Sequence, residues 1–159
     1  HFGALAEWEE NKGWHNIRIA LAQHSDGLNP HLPNPEAKVS VRTLIPGYAT
    51  QELSDGLPHL SAQALILQSY GHGNAPSNDA FVRSVQAFTQ QGKLLINISQ
   101  VPQGCAAAVY AQGDALRQAG IINGGKCNLE TATALMTLAV SHDWNVDKVQ
   151  QELRQLNLL

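Results

Sequence analysis

The sequence predicts an α/β domain: a small three-layer α/β/α, Rossmann-like unit built on a mainly parallel sheet. Three observations carry that expectation. From residue 38 the chain alternates β-branched or apolar runs with amphipathic ones. Two of the apolar runs, "ALIL" (64–67) and "LLINI" (94–98), show no polar face, as strands do when helices cover a sheet on both sides. Turn residues separate the runs at lengths suited to β-to-α crossovers.

Taken in order, residues 1–11 place Phe2, Leu5 and Trp8 among Glu and Ala, a short helical pattern that "NKGWHN" ends. "IRIAL" (17–21) reads as a short strand. "AQHSDGLNPHLPNPEA" (22–37) holds three prolines with Gly and Asn, which excludes a regular element. Residues 1–37 are therefore expected to form a linker-side segment of short helix, strand and irregular loop, with the α/β domain at 38–159.

Within that domain "KVSVRTLIPG" (38–47) alternates with period two and reads as strand, and "ATQELSDGL" (49–57) as helix. "AQALILQSY" (62–70) follows as strand, "SNDAFVRSVQAFTQQG" (77–92) as helix and "KLLINIS" (93–99) as strand. Phe81, Val85 and Phe88 form one stripe on the second helix. Ser77 or Asn78 can cap its start, and Gly92 its end. "VPQGCAAAVYAQGDALRQAG" (101–120) reads as a loop and a short helix. After "IINGGKC", Asn128 can cap "LETATALMTLAVSHD", and Asn145 or Asp147 starts a last helix.

Composition narrows the function. With 159 residues, 43% of them hydrophobic, the chain can bury a core. Its net charge of −3 gives no electrostatic grip on nucleic acid or anionic lipid, so neither partner is expected. No apolar run reaches bilayer length, and the acidic N-terminal stretch does not read as a secretory leader. The sequence lacks an initiator Met and reads as a fragment or processed product. Cys105 and Cys127 are too few for a disulfide framework and form no CxxC, so free thiols in a reducing cytosol are expected.

Open parallel sheets bind ligands beyond the carboxyl ends of their strands. Those ends here hold "PGYA" (46–49), "SYGHGNAP" (69–76) and "SQVPQG" (99–104). Gly71 and Gly73 let the backbone bend sharply, and Asn74 offers an amide that donates and accepts. By itself such a turn reads either as a site or as a tight β-to-α connection.

Other chemistries fit poorly. Gly71-x-Gly73 begins a dinucleotide fingerprint, but Pro76 stands at its third glycine and no ribose-binding acid follows the next strand. His72 has no flanking carboxylate and reads as a solvated loop histidine. His24, His31 and His59 lack ligand spacing, so no metal site is expected. Cys105 has no neighbour that would activate it and reads as an inert thiol.

Three stretches together, "LILQSYGHGNAP", "GKLLINISQVPQG" and "YAQGDALRQAGIINGGKCNLETATALMTLAVS", resemble the C-terminal domain of cytoplasmic type I L-asparaginases. The likeness runs in order from about Val39 to the last helix, and "IPGYAT" is similar to that family's Tyr-Pro-Gly segment. The resemblance implies a two-domain amidohydrolase acting on L-asparagine without a cofactor. Its catalytic threonines, with the Asp and Lys of the proton relay, would lie in a larger N-terminal domain. No Thr-Gly-Gly-Thr or Thr-Asp-Thr occurs in these residues, so no catalytic residue is assigned here and the chain alone is expected to be inactive.

The same resemblance implies a homodimer or tetramer in which this domain lends polar groups to a neighbour's active site. Asn74 is then the expected substrate contact, with Tyr70, Gly71 and Gly73 shaping the turn. The chain departs from the family's pattern at Lys126 and Cys127, where Asp and Met are usual, while Glu130 is kept. "GCAAAVYA" lacks the glutamate that periplasmic relatives direct at the substrate amine. The alternatives are an amidotransferase subunit of the same superfamily and a non-catalytic ligand-binding domain.

Overall fold

The computed structural model describes residues 7–15, 31–101, 105–106 and 114–159. The chain divides into two compact units, His1–His31 and Leu32–Leu159. In the first, β1 (Glu7–Glu9) pairs antiparallel with β2 (Gly13–His15). This corrects the helical reading of residues 1–11 over its described part. Gly13 takes φ +68°, and Lys12 N–H donates to Glu9 O at 3.0 Å, closing a tight turn. Glycine-assisted reversal, with an ion pair from Glu9 to Lys12 (2.6 Å) and a contact from Glu9 to His15 (3.3 Å), outweighs a three-residue helical periodicity. The expected strand at 17–21 lies outside the described residues.

The second unit is a parallel sheet in the order β3 (Val39–Thr43), β4 (Ala64–Ser69), β5 (Leu94–Ser99), β6 (Ile121–Asn123). In register, Ile66 stands beside Val41 and Ile96, and Asn97 lies between Leu67 and Asn123. The fourth strand goes beyond the sequence reading, because "IIN" is too short to show a period. Its limits are set by Gly120, at φ +93°, and by Gly124, whose N–H bonds Asn97 O at 2.8 Å.

Because successive strands are neighbours, the right-handed crossovers place α1 (Tyr48–Gly56), α2 (Asp79–Thr89) and α3 (Asp114–Gln118) on one face. Phe81, Val85 and Phe88 of α2 pack there with Leu65, Leu67, Leu95 and Ile121. On the other face α4 (Leu129–Ser141) and α5 (Val146–Gln155) cover Ile66, Ile96, Ile98 and Ile122 with Leu135, Met136, Val149 and Leu153. Full burial of such side chains contributes about 2 kcal/mol each. The alternation of Leu94 and Leu95 between the two clusters is the physical basis of the run without a polar face.

Local signals start each long helix. The Asn78 side chain accepts from Phe81 N–H (3.0 Å), that of Asn128 from Thr131 N–H (2.8 Å) and that of Asn145 from Lys148 N–H (2.9 Å). The Asn thus takes the capping role at both positions where the sequence offered a choice. Past α2, Gly92 at φ +78° reverses the chain into β5.

Candidate functional site

The four parallel strands end at one edge. There lie the Ile45–Gly47 loop, the Tyr70–Asn74 turn, the Gln100–Val101 exit and the Gly124–Asn128 connection. Ligand crevices in open α/β sheets form where strand order reverses, so that adjacent connections part to opposite faces. Here the order β3-β4-β5-β6 never reverses. Among the described residues the connections after β3 and β4 lead to helices on one face, while the Gly124–Asn128 connection leads to α4 on the other, and the edge exposes these loops.

At its centre Tyr70 and Asn74 form a miniature antiparallel bridge. Tyr70 N–H donates to Asn74 O (3.0 Å), and Asn74 N–H donates back to Tyr70 O (2.9 Å). Three residues close the loop, which demands left-handed backbone at Gly71 (φ +46°) and Gly73 (φ +95°). Gly73 is also required by space: a Cβ there would stand 2.5 Å from Ala106 Cα.

The neighbouring elements brace this turn. On the β3 side, Thr50 in the first turn of α1 donates its hydroxyl to Ile45 O (2.7 Å), leaving its oxygen to accept from Tyr70 Oη at 3.2 Å. On the β5 side, Asn97 Nδ2 donates to Gly73 O (3.0 Å) and Ser99 Oγ to Gly71 O (2.5 Å). Ser99 Oγ in turn accepts from Val101 N–H (3.0 Å), tying the β5 exit to the same turn. The β4 loop is thus held from both flanking units, its backbone by Asn97 and Ser99 of β5 and its Tyr70 side chain by Thr50 of α1.

Asn74 itself is half-buried, and its side-chain amide makes no hydrogen bond among the described residues. A rigid turn therefore presents one unengaged donor–acceptor group. Tyr70 is half-buried against the α1–α2 core cluster with its hydroxyl on Thr50. The structure brings Tyr70, Gly71, Gly73 and Asn74 together as one unit, while His72 projects from it exposed.

The remaining polar candidates stay apart. His59 is exposed, Cys105 half-exposed and Cys127 buried. Burial pushes the Cys127 thiol up to about 11, which holds it protonated. Among the described residues no group of three or more His, Cys, Asp or Glu is arranged to hold a metal ion. Glu130, exposed in the first turn of α4, suits that helix's positive end. Thr50, Asn97 and Ser99 went unnoticed in the sequence, where the two β5 residues were visible only as polar letters inside an apolar strand.

Residues 38–153 match the family model described as "Glutaminase/Asparaginase C-terminal domain". L-asparaginase 1 of Escherichia coli strain K12 is 30% identical over 138 residues, which cover 84% of this chain and 40% of that protein. The crystal structure of L-asparaginase I from Vibrio cholerae aligns with a TM-score of 0.65 at 28% identity, over 79% of this chain and 37% of that one. The thermostable L-asparaginase from Thermococcus kodakarensis shares the fold, with a TM-score of 0.68 at 17% identity over 94% of this chain and 44% of that one. This chain thus spans about two fifths of the length of these L-asparaginases. In sequence and in fold alike, it belongs to the glutaminase/asparaginase C-terminal domain family.

Proposed function

We propose that this chain is the C-terminal domain, residues 38–159, of a cytoplasmic type I L-asparaginase, with residues 1–37 leading into it. The complete enzyme hydrolyses L-asparagine to L-aspartate and ammonia by acyl transfer. A threonine outside these residues attacks the side-chain amide carbon, ammonia leaves, and water then cleaves the acyl-enzyme ester. This domain supplies no nucleophile. It presents Asn74, on the turn shaped by Tyr70 and Gly73, to a substrate bound against the N-terminal domain in a homodimer or tetramer.

One observation carries this reading: an amide unengaged among the described residues, on a turn fixed from both sides at the carboxyl edge of the parallel sheet. An amide suits an amino acid substrate, because it donates to carboxylate oxygens and accepts from ammonium. Among the described residues no helix is long and apolar enough to cross a membrane.

The test is ammonia release from L-asparagine by this chain, by the separately expressed N-terminal domain, and by the two mixed. Activity confined to the mixture is the expected result. Activity from this chain alone would overturn the claim that the nucleophile lies elsewhere, and an inactive mixture of two folded parts would overturn the shared site.

A further inference from the structure

We infer that Asn97 is a positioning residue: its side-chain amide fixes the Gly73–Asn74 peptide and so sets the direction in which Asn74 presents its own amide. The inference rests on the reading of Asn74 as a substrate contact.

Asn97 is fully buried in the middle of β5, an otherwise apolar strand. Its Nδ2 donates to Gly73 O at 3.0 Å. The N–H at the other end of that same peptide, Asn74 N, donates to Tyr70 O at 2.9 Å. With its carbonyl and its N–H both held, the peptide plane cannot rotate, and the path of the chain into Asn74 is set. Gly73 cannot take up the slack, since its only spare volume is filled by Ala106.

The other arm of the Asn97 side chain separates this role from core filling. Oδ1 is buried and has no hydrogen-bond partner among the described residues. A buried, unsatisfied acceptor costs stability, and an apolar side chain of the same shape would suit the core better at this position. The amide orientation is fixed by chemistry, because Gly73 O can only accept and must therefore face the NH2. Ser99 lies two residues on, on the same face of β5, and holds Gly71 O in the same manner. Side chains at i and i+2 of one strand thus grip alternate carbonyls of the turn.

The test uses the full-length enzyme with Asn97→Leu, Asn74→Ala and the double variant. Asn97→Leu keeps the branched shape in a somewhat larger side chain and removes the donor; Asn97→Ala removes the donor with less volume should the leucine variant fail to fold. We expect kcat/KM for L-asparagine to fall about tenfold in Asn97→Leu, and the double variant to be no worse than Asn74→Ala alone, because Asn97 acts through Asn74. Hydrogen exchange over residues 70–74 should quicken in Asn97→Leu while exchange over α5 stays unchanged. Losses that multiply in the double variant, or unchanged exchange at 70–74, would overturn the proposal. Full activity in Asn74→Ala would instead remove the substrate role of Asn74, and the exchange at 70–74 would still decide whether Asn97 fixes the turn.

Discussion

Gly73 lies so close to the Ala106 backbone that a Cβ built on it would stand 2.5 Å from Ala106 Cα. The carbonyl of the next strand's connection, Gly125 O, holds Ala106 N–H at 2.8 Å, so Ala106 has little freedom to withdraw. Gly73→Ala must then meet both a clash and a φ of +95°. It should lower the unfolding free energy by about 3 kcal/mol. Gly71, at φ +46° with open space around its missing Cβ, provides the control. Gly71→Ala should cost only about 1 kcal/mol. Urea unfolding of both variants checks the contrast, and equal losses would show that Ala106 yields.

The Thr50–Tyr70 bond gives a second prediction. Thr50 spends its proton on Ile45 O, so the phenol of Tyr70 is the donor between them. Tyr70→Phe removes that donor and leaves the ring in the core cluster. Stability should drop by about 1 kcal/mol, the ordinary net worth of one hydrogen bond. The β4 turn would remain anchored from β5 alone, so full-length enzyme carrying Tyr70→Phe should lose kcat/KM at temperatures where it is still fully folded. Unchanged kinetics with the expected loss of stability would confine the bond to a structural role.

Much of this architecture was legible in the sequence, for identifiable reasons. The β-branched and uniformly apolar runs gave β3, β4 and β5 to within a few residues, since period and burial on both faces act locally. The Asn residues at helix starts were visible because capping depends on three or four neighbours in the chain. The hairpin at Glu7–His15 was misread because Phe2, Leu5 and Trp8 happen to fall at helical spacing, while the deciding contact is a glycine-dependent turn. Strand β6 is only three residues long, and its existence depends on β5 beside it. At the site, the turn residues announced themselves through two glycines. Asn97 and Ser99 did not, because their function is to reach across strands to Gly73 and Gly71, 24 and 28 residues away.

Cys127 supplies a pH-dependent prediction. Its thiol is buried and raised to about 11, by desolvation of the thiolate. The folded state therefore binds this proton more tightly than the unfolded chain does. The associated stability is complete below the unfolded thiol's range near 9 and is lost as pH rises through about 11. At the alkaline limit the loss should be roughly 2–3 kcal/mol. Cys127→Ala should flatten that alkaline arm in urea unfolding measured between neutral pH and the alkaline limit. Half-exposed Cys105 should label with a thiol reagent under native conditions while Cys127 labels only on unfolding. Equal labelling rates would contradict the burial.

Asn74→Ala separates stability from function most sharply. Half-buried polar residues usually hold a neighbour, and truncating one commonly costs about 1 kcal/mol. The Asn74 side chain holds none of the described residues, and the bridge to Tyr70 uses only backbone atoms that alanine retains. The substitution should therefore leave the urea midpoint of this domain essentially unchanged. In the full-length enzyme it should lower kcat/KM for L-asparagine by about tenfold to a hundredfold, as expected when a group placed to contact the substrate is deleted. A large loss of stability would show that the amide holds the protein together. Unaltered stability with unaltered kinetics would mean that the group faces no substrate at all. The pairing of silent unfolding with impaired turnover is the signature of a residue held in readiness by others, and Asn97, Ser99 and Thr50 are the residues that hold its turn.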